Sequence, residues 1–190
     1  TKYNVSFGYL HQDGLMVNTG YKRYNFRPNF DQNNSNNFNV GFNLSLSVRD
    51  VSDPPTNQGV GGETWYLHEA FQQWANDPIQ YPDGRWAYPT WSGLNHNPVA
   101  YTSTAAGHSN NTDTRFMGTA FAEYKIFDGL KLKGVVSNIR DYNYGSNIGL
   151  GVDLYRIDPI TGTISATPEA GASMPTDPSK RNISKTFFKD

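Results

Sequence analysis

Apolar and polar residues alternate with period two over long stretches of this chain, the mark of strands whose two faces meet different surroundings. Near residues 2–10, Tyr3, Val5, Phe7 and Tyr9 alternate with Asn4, Ser6 and Gly8. Near 22–31, Tyr24, Phe26, Pro28 and Phe30 alternate with Arg23, Asn25, Arg27 and Asn29. The clearest run lies near 38–49, where Phe38, Val40, Phe42, Leu44, Leu46 and Val48 oppose Asn39, Gly41, Asn43, Ser45, Ser47 and Arg49. A fourth strand is expected near 114–126, with Phe116, Gly118, Ala120, Ala122, Tyr124 and Ile126 on its apolar face. A fifth starts at Leu130 and is expected to run to about residue 140, its pattern decaying after Asn138.

Such two-faced strands suit a soluble sandwich, whose apolar face meets a second sheet, or a membrane barrel, whose apolar face meets lipid. Three features favour the barrel. Strict alternation from Phe38 to Arg49 is longer than the roughly 5–6 residues of an average soluble strand and matches the roughly 9–11 needed to cross a bilayer. Long and short connections alternate. Short ones follow Asp31 and Phe127-Asp128-Gly129; long ones occupy about 50–113 and 145–186. An outer-membrane barrel, with short periplasmic turns and long extracellular loops, requires that order. Aromatic residues, among them Tyr3, Tyr9, Tyr24, Phe38 and Tyr124, fall near strand ends on the apolar face, as interfacial girdles do. The expected fold is therefore all-β, a segment of a large antiparallel transmembrane β-barrel in a bacterial outer membrane. Five strands cannot close a barrel, since the smallest have about eight.

On this expectation Tyr24, Phe26, Phe38, Val40, Phe42, Leu44 and Leu46 face lipid, while Arg23, Asn25, Arg27, Asn29, Asn43 and Arg49 face a wet lumen. Those lumen residues could contact cargo, or bond water and whatever fills the barrel.

Composition narrows the choice. The 190 residues carry net charge -1, 14% aromatic and only 17% charged side chains, with no Cys. Disulfides, thiolate metal sites and a Cys nucleophile are excluded, and no basic footprint for nucleic acid exists. No stretch approaches the roughly 18 apolar residues of a spanning helix.

All 4 Trp lie in the long connection 50–113. Trp65, Trp74, Trp86, Tyr88 and Trp91 are the candidates for contact with a substrate or partner, since flat rings stack on sugars and bury well against proteins. The competing role is packing of the connection onto itself, because a loop of this length must bury something to stay ordered. Leu67, Phe71 and Trp74 have helical i, i+4, i+7 spacing, with Asn76-Asp77-Pro78 expected to end the helix. No metal site is expected: His11, His68, His96 and His108 lack ligand spacing. No cofactor motif, nucleophile elbow or phosphate loop is present. An enzyme is not expected. Residues 152–165 suggest a small hairpin.

The run from Tyr3 to Gly14, the strand Lys22-Arg23-Tyr24-Asn25-Phe26-Arg27 and the later Val40-Gly41-Phe42-Asn43-Leu44-Ser45 resemble SusC/RagA-type TonB-dependent outer-membrane transporters. So do Tyr81-Pro82-Asp83-Gly84, Asn97-Pro98-Val99-Ala100, Thr114 to Tyr124 and Gly129 to Lys133, in that order. The resemblance covers about residues 1–137. Pro28 departs from it and is expected to leave a defect or bulge in the second strand. The resemblance implies a 22-stranded barrel around an N-terminal plug, and TonB-driven import of glycans, oligosaccharides or peptides. It also implies a SusD-like lipoprotein lid. Because Thr1 to Val5 reads as mid-strand and a strand begins near Phe187, the chain is expected to be a stretch of a longer protein, with the plug outside it. The alternative is a secreted, soluble, β-rich carbohydrate-binding module that uses the loop tryptophans.

Overall fold

The computed structural model describes residues 1–35, 37–55, 62–89, 96–169 and 182–188. Its main sheet is a continuous antiparallel meander. The strands are β1 (Lys2–Asp13), β2 (Gly20–Ser35), β3 (Phe38–Asp53), β5 (Gly107–Phe127), β6 (Leu130–Gly149) and β8 (Asn182–Phe188), in that spatial order. The connection after β3 holds helix α1 (Gly62–Gln72), the two-residue strand β4 (Trp86–Ala87), helix α2 (Pro98–Thr102) and a single 3₁₀ turn. After β6, the two-residue strand β7 (Leu154–Tyr155) pairs parallel with β4. No helix among the described residues is long and apolar enough to cross a membrane.

The strands lie where the alternation runs, but they extend past it at one end. β3 continues to Asp53, β5 starts at Gly107 and β6 reaches Gly149. On β3 and β5 both faces there carry polar groups, so no period-two signal marks them; on β6 Tyr142, Tyr144 and Ile148 still alternate with Asp141, Asn143 and Asn147. The connections 14–19, 54–106 and 150–181 leave from this end, whereas β2–β3 and the Asp128-Gly129 turn close the other. Gly129 at φ 101 supplies the left-handed residue of that turn.

Register fixes the faces. Phe7, Phe26, Leu46 and Phe116 form one rung across four strands, and Phe30, Phe42, Ala120 and Val136 another. Pro28 produces a gap and no bulge. The ladder to β3 omits Arg27 and Pro28, yet Phe26↔Leu46 and Asn29↔Asn43 share one register. A missing N–H removes a bond without adding a residue. The register shift in β2 comes later, between Asn33 and Ser35.

The hydrophobic core among the described residues is not in the main sheet. Tyr66, Ala100, Tyr101, Ala106, Val152 and Leu154 form it, with Met16, Trp65, Trp86 and Tyr88 packed against them. The connections thus fold into a small unit at the end of the sheet. Leu150 N–H donates to Ala106 O at 2.8 Å, and Asn18 Nδ2 donates to Gly107 O at 2.9 Å, seating that unit on β5. Gly107 has φ 106, and a Cβ there would collide with the Ile148 carbonyl, so only glycine fits this junction. The apolar face of the sheet is uncovered: Phe7 is 71% exposed and Val136 73%.

Candidate functional site

The polar face of the sheet carries a charged lattice. Arg23 stands opposite Arg49, Arg49 opposite Asp113, and Asp113 opposite Asn143. Arg49 Nε donates to Asp113 Oδ2 at 2.9 Å, while the Asn143 amide donates to Asp113 and, at 2.9 Å, to Asn111. One rung on, Arg115 grips both carboxylate oxygens of Asp141 at 2.7 Å each, the bidentate geometry that guanidinium planarity favours. On the same rung Ser47 Oγ donates to Asn25 Oδ1 at 3.0 Å. Asn29 and Asn43 pair directly two rungs further. All six residues expected on a polar lumen face, Arg23, Asn25, Arg27, Asn29, Asn43 and Arg49, therefore share one face. Among the described residues neither Arg23 nor Arg27 has an ion-pair partner. An open concavity of about 560 Å³ lies here, lined by Tyr21, Arg23, Ser47, Arg49, Arg115 and Asn143 among others.

The opposite face carries Tyr24, Phe26, Phe38, Val40, Phe42, Leu44 and Leu46, as the alternation requires. Tyr9 and Tyr24 rings meet at 5.1 Å, and Phe30 and Phe42 at 5.4 Å. Asn138 and Arg140 interrupt this face on β6, opposite Gly118 and Phe116.

In the small unit, the loop aromatics divide. Trp65 and Trp86 pack against the core, Trp65 stacking on Tyr101 at 6.4 Å. Tyr88 also packs there, with the Arg156 guanidinium 4.4 Å over its ring. Trp74 is 57% exposed, and Trp91 lies outside the described residues. Helix α1 ends at Gln72, before Trp74, and the expected Leu67, Phe71, Trp74 stripe is exposed. Its buried face is instead Tyr66 and Glu69, drawn inward because the Tyr66 hydroxyl donates to Pro55 O at 2.7 Å. Burial pushes the Tyr66 and Tyr101 hydroxyls above the ordinary phenol range. The Arg85 side chain, bonded to Asp83 at 2.7 Å, holds that carboxyl below its usual range.

Two features had no clear signal in the sequence. Glu69 is 6% exposed, with His68 Nδ1 at 3.3 Å and His96 Nδ1 at 3.4 Å. No group of three or more metal-ligating side chains occurs among the described residues. Asn97, 4% exposed, is the hub of the unit. Its Oδ1 accepts Ala100 N–H at 3.0 Å, capping α2 ahead of Pro98, and its Nδ2 donates to Ile79 O at 2.8 Å and Ala87 O at 2.9 Å. The two long-range bonds span 18 and 10 residues, separations that no local pattern reports. Asn97→Ala is expected to destabilise the unit by about 2 kcal/mol, a cap plus buried carbonyls left unmet. Faster amide exchange at Ala100 and Tyr101, with the strands unchanged, checks this. Residues 156–165 form the expected hairpin, with Ile157 bridged to Ile164 and Asp158 N–H donating to Thr163 O at 2.9 Å.

No family model matches the chain. Over 136 residues, 70% of its length, it is 28% identical to "TonB-dependent receptor P3" of Formosa agariphila. The chain spans about 13% of the length of that curated relative.

Proposed function

We propose that this chain is part of the barrel wall of a TonB-dependent outer-membrane importer of the SusC/RagA type. The importer carries glycans, oligosaccharides or peptides across the bacterial outer membrane and does no chemistry on them. A plug outside this chain couples it to TonB, and a SusD-like lipoprotein closes it from outside.

The observation that carries this proposal is the uncovered apolar face, bounded by aromatic residues at both ends. One boundary is the rung Phe38, Tyr124 and Leu132; the other is Tyr9, Tyr24, Val48, Thr114 and Tyr142. Phe38 and Val48 are ten positions apart on β3, about 34 Å of strand at roughly 3.4 Å per residue. At a tilt of about 45° that is a height of roughly 24 Å, against roughly 25 Å for the apolar band of outer-membrane barrels. Arg140 sits one rung inside the upper boundary, where a long cationic side chain reaches the headgroups. A soluble sandwich needs a second sheet over this face, and the described residues include none. The relative's name and the separation of long from short connections support the same reading.

The test is the native protein's location and mass. A protein several times 21.3 kDa, extracted from outer membrane only by detergent and heat-modifiable on gels, is expected. A soluble, folded 21.3 kDa monomer overturns the importer and leaves the carbohydrate-binding module, with exposed Trp74 as its first candidate contact.

A further inference from the structure

We propose that the concavity beside Arg23 receives an anionic group of the cargo, a carboxylate carried on a sugar ring, with Arg23 as the lining cation that has no ion-pair partner among the described residues. This rests on the importer reading and names the class of cargo.

Three observations converge. First, the charge is unbalanced where the space is. Arg23, Arg49 and Arg115 line the concavity with Asp113 and Asp141, three cations against two anions in a chain of net charge -1. Second, the two acids are already committed. Asp113 is held by Arg49 and Asn143, and Asp141 is gripped on both oxygens by Arg115. Neither can neutralise Arg23. Third, Arg23 stands directly across from Arg49, and like charges at opposed positions of a sheet oppose pairing. An anion between them removes that repulsion. Arg49 and Arg115 are meanwhile held in fixed planes by their acids, so they present ordered N–H edges to the same opening without needing to reorganise.

The concavity, about 560 Å³, is roughly the size of small-ligand sites, which span about 300–1,000 Å³. Its wall favours a saccharide over a bare anion. The Tyr21 ring lies two positions along the same face from Arg23, and Ser47 and Asn143 supply hydroxyl and amide groups. A flat ring with neutral polar groups around a guanidinium suits a pyranose bearing a carboxylate.

The test uses the full-length receptor in detergent, with tetragalacturonate and its fully methyl-esterified form as probes in calorimetry. The acid form is expected to bind at least tenfold more tightly, with the difference shrinking as salt is raised. The variant Arg23→Gln is expected to lose the preference, and Arg23→Lys to keep part of it, because it retains charge without the fork. Equal binding of the two forms, no binding of either, or a preference that survives in Arg23→Gln overturns the proposal. Triglutamate binding as tightly as tetragalacturonate overturns the assignment to a sugar. Fractionation of the same preparation reads the importer proposal separately. A membrane-borne receptor without charge preference overturns the anion site alone, and a soluble one overturns both.

Discussion

Arg substituted at Phe42 or Leu44 is expected to cost about 2–4 kcal/mol of folding free energy in a bilayer, whereas Arg at Asn43 costs about 0.5 kcal/mol or less. The three positions are consecutive on β3, so strand propensity and local sequence hardly differ. What differs is the face. Phe42 shares a rung with Phe30 and Ala120, and Leu44 lies opposite Gly118, all on the uncovered apolar side. Asn43 stands between Asn29 and Thr119 on the polar side. A buried sandwich face would also reject Arg at Phe42, so the decisive feature is depth. Phe42 and Leu44 lie midway between the two aromatic rungs, where a guanidinium is furthest from water. Val48 lies on the upper rung, and Arg there is expected to cost only about 0–1 kcal/mol. Urea-dependent folding of the full-length protein into lipid vesicles, with heat-modifiable migration as the folded marker, measures all four variants. Wild-type folding of both the Phe42 and Leu44 variants would sink the lipid-facing assignment. A flat profile from Phe42 to Val48 would point to protein packing in place of lipid.

The parts of this molecule that were legible in the sequence are those whose two faces differ. Phe38 to Arg49 alternates without a break, and its register follows. The same strand's last residues, Asp50 to Asp53, and the start of β5 at Gly107 carry polar groups on both faces. There nothing in the periodicity distinguishes strand from loop. β6 is harder still. Asn138 and Arg140 fall on its apolar face, while Val135 and Ile139 fall on its polar one. Between residues 135 and 140 the period cancels, although the ladder to β5 continues unbroken through it and the alternation returns at Tyr142 and Tyr144.

The site was half visible for a related reason. Arg23, Arg27 and Arg49 stood out as charges within clean alternation. Asp113, which fixes Arg49, lies where alternation has faded, Asp141, which fixes Arg115, lies next to the break in it on β6, and only the cross-strand register pairs them. The loop tryptophans were countable, but their packing was not. Trp65 meets Tyr101, and Trp86 pairs with Leu154, across separations that no local window spans.

Tyr101→Ala is expected to be the most damaging single change in the loop unit, at about 3–5 kcal/mol of its opening free energy. Tyr101 is 1% exposed and sits in the middle of the buried cluster, between Ala100 and the α2 terminus. Its ring stacks on Trp65 and meets His96 edge-on at 6.1 Å. Truncation removes those ring contacts and leaves a cavity among side chains anchored from three separate stretches. Tyr66 is tied to Pro55, Trp86 to β7, and Leu154 to β4. Because each is held elsewhere, little collapse into the space is available, which places the cost at the upper end of large-to-small changes. The strands do not share this core, so the damage should stop at the Gly107 junction. Amide exchange in residues 97–106 and 152–155 is expected to rise by orders of magnitude while the amides of β3 and of β5 from Arg115 onward stay protected. Tyr101→Phe, which keeps the ring, is expected to cost about 1–1.5 kcal/mol. Equal loss in both variants would move the energy from the ring to its hydroxyl. Exchange that rises through β3 as well would mean that the unit and the sheet unfold as one.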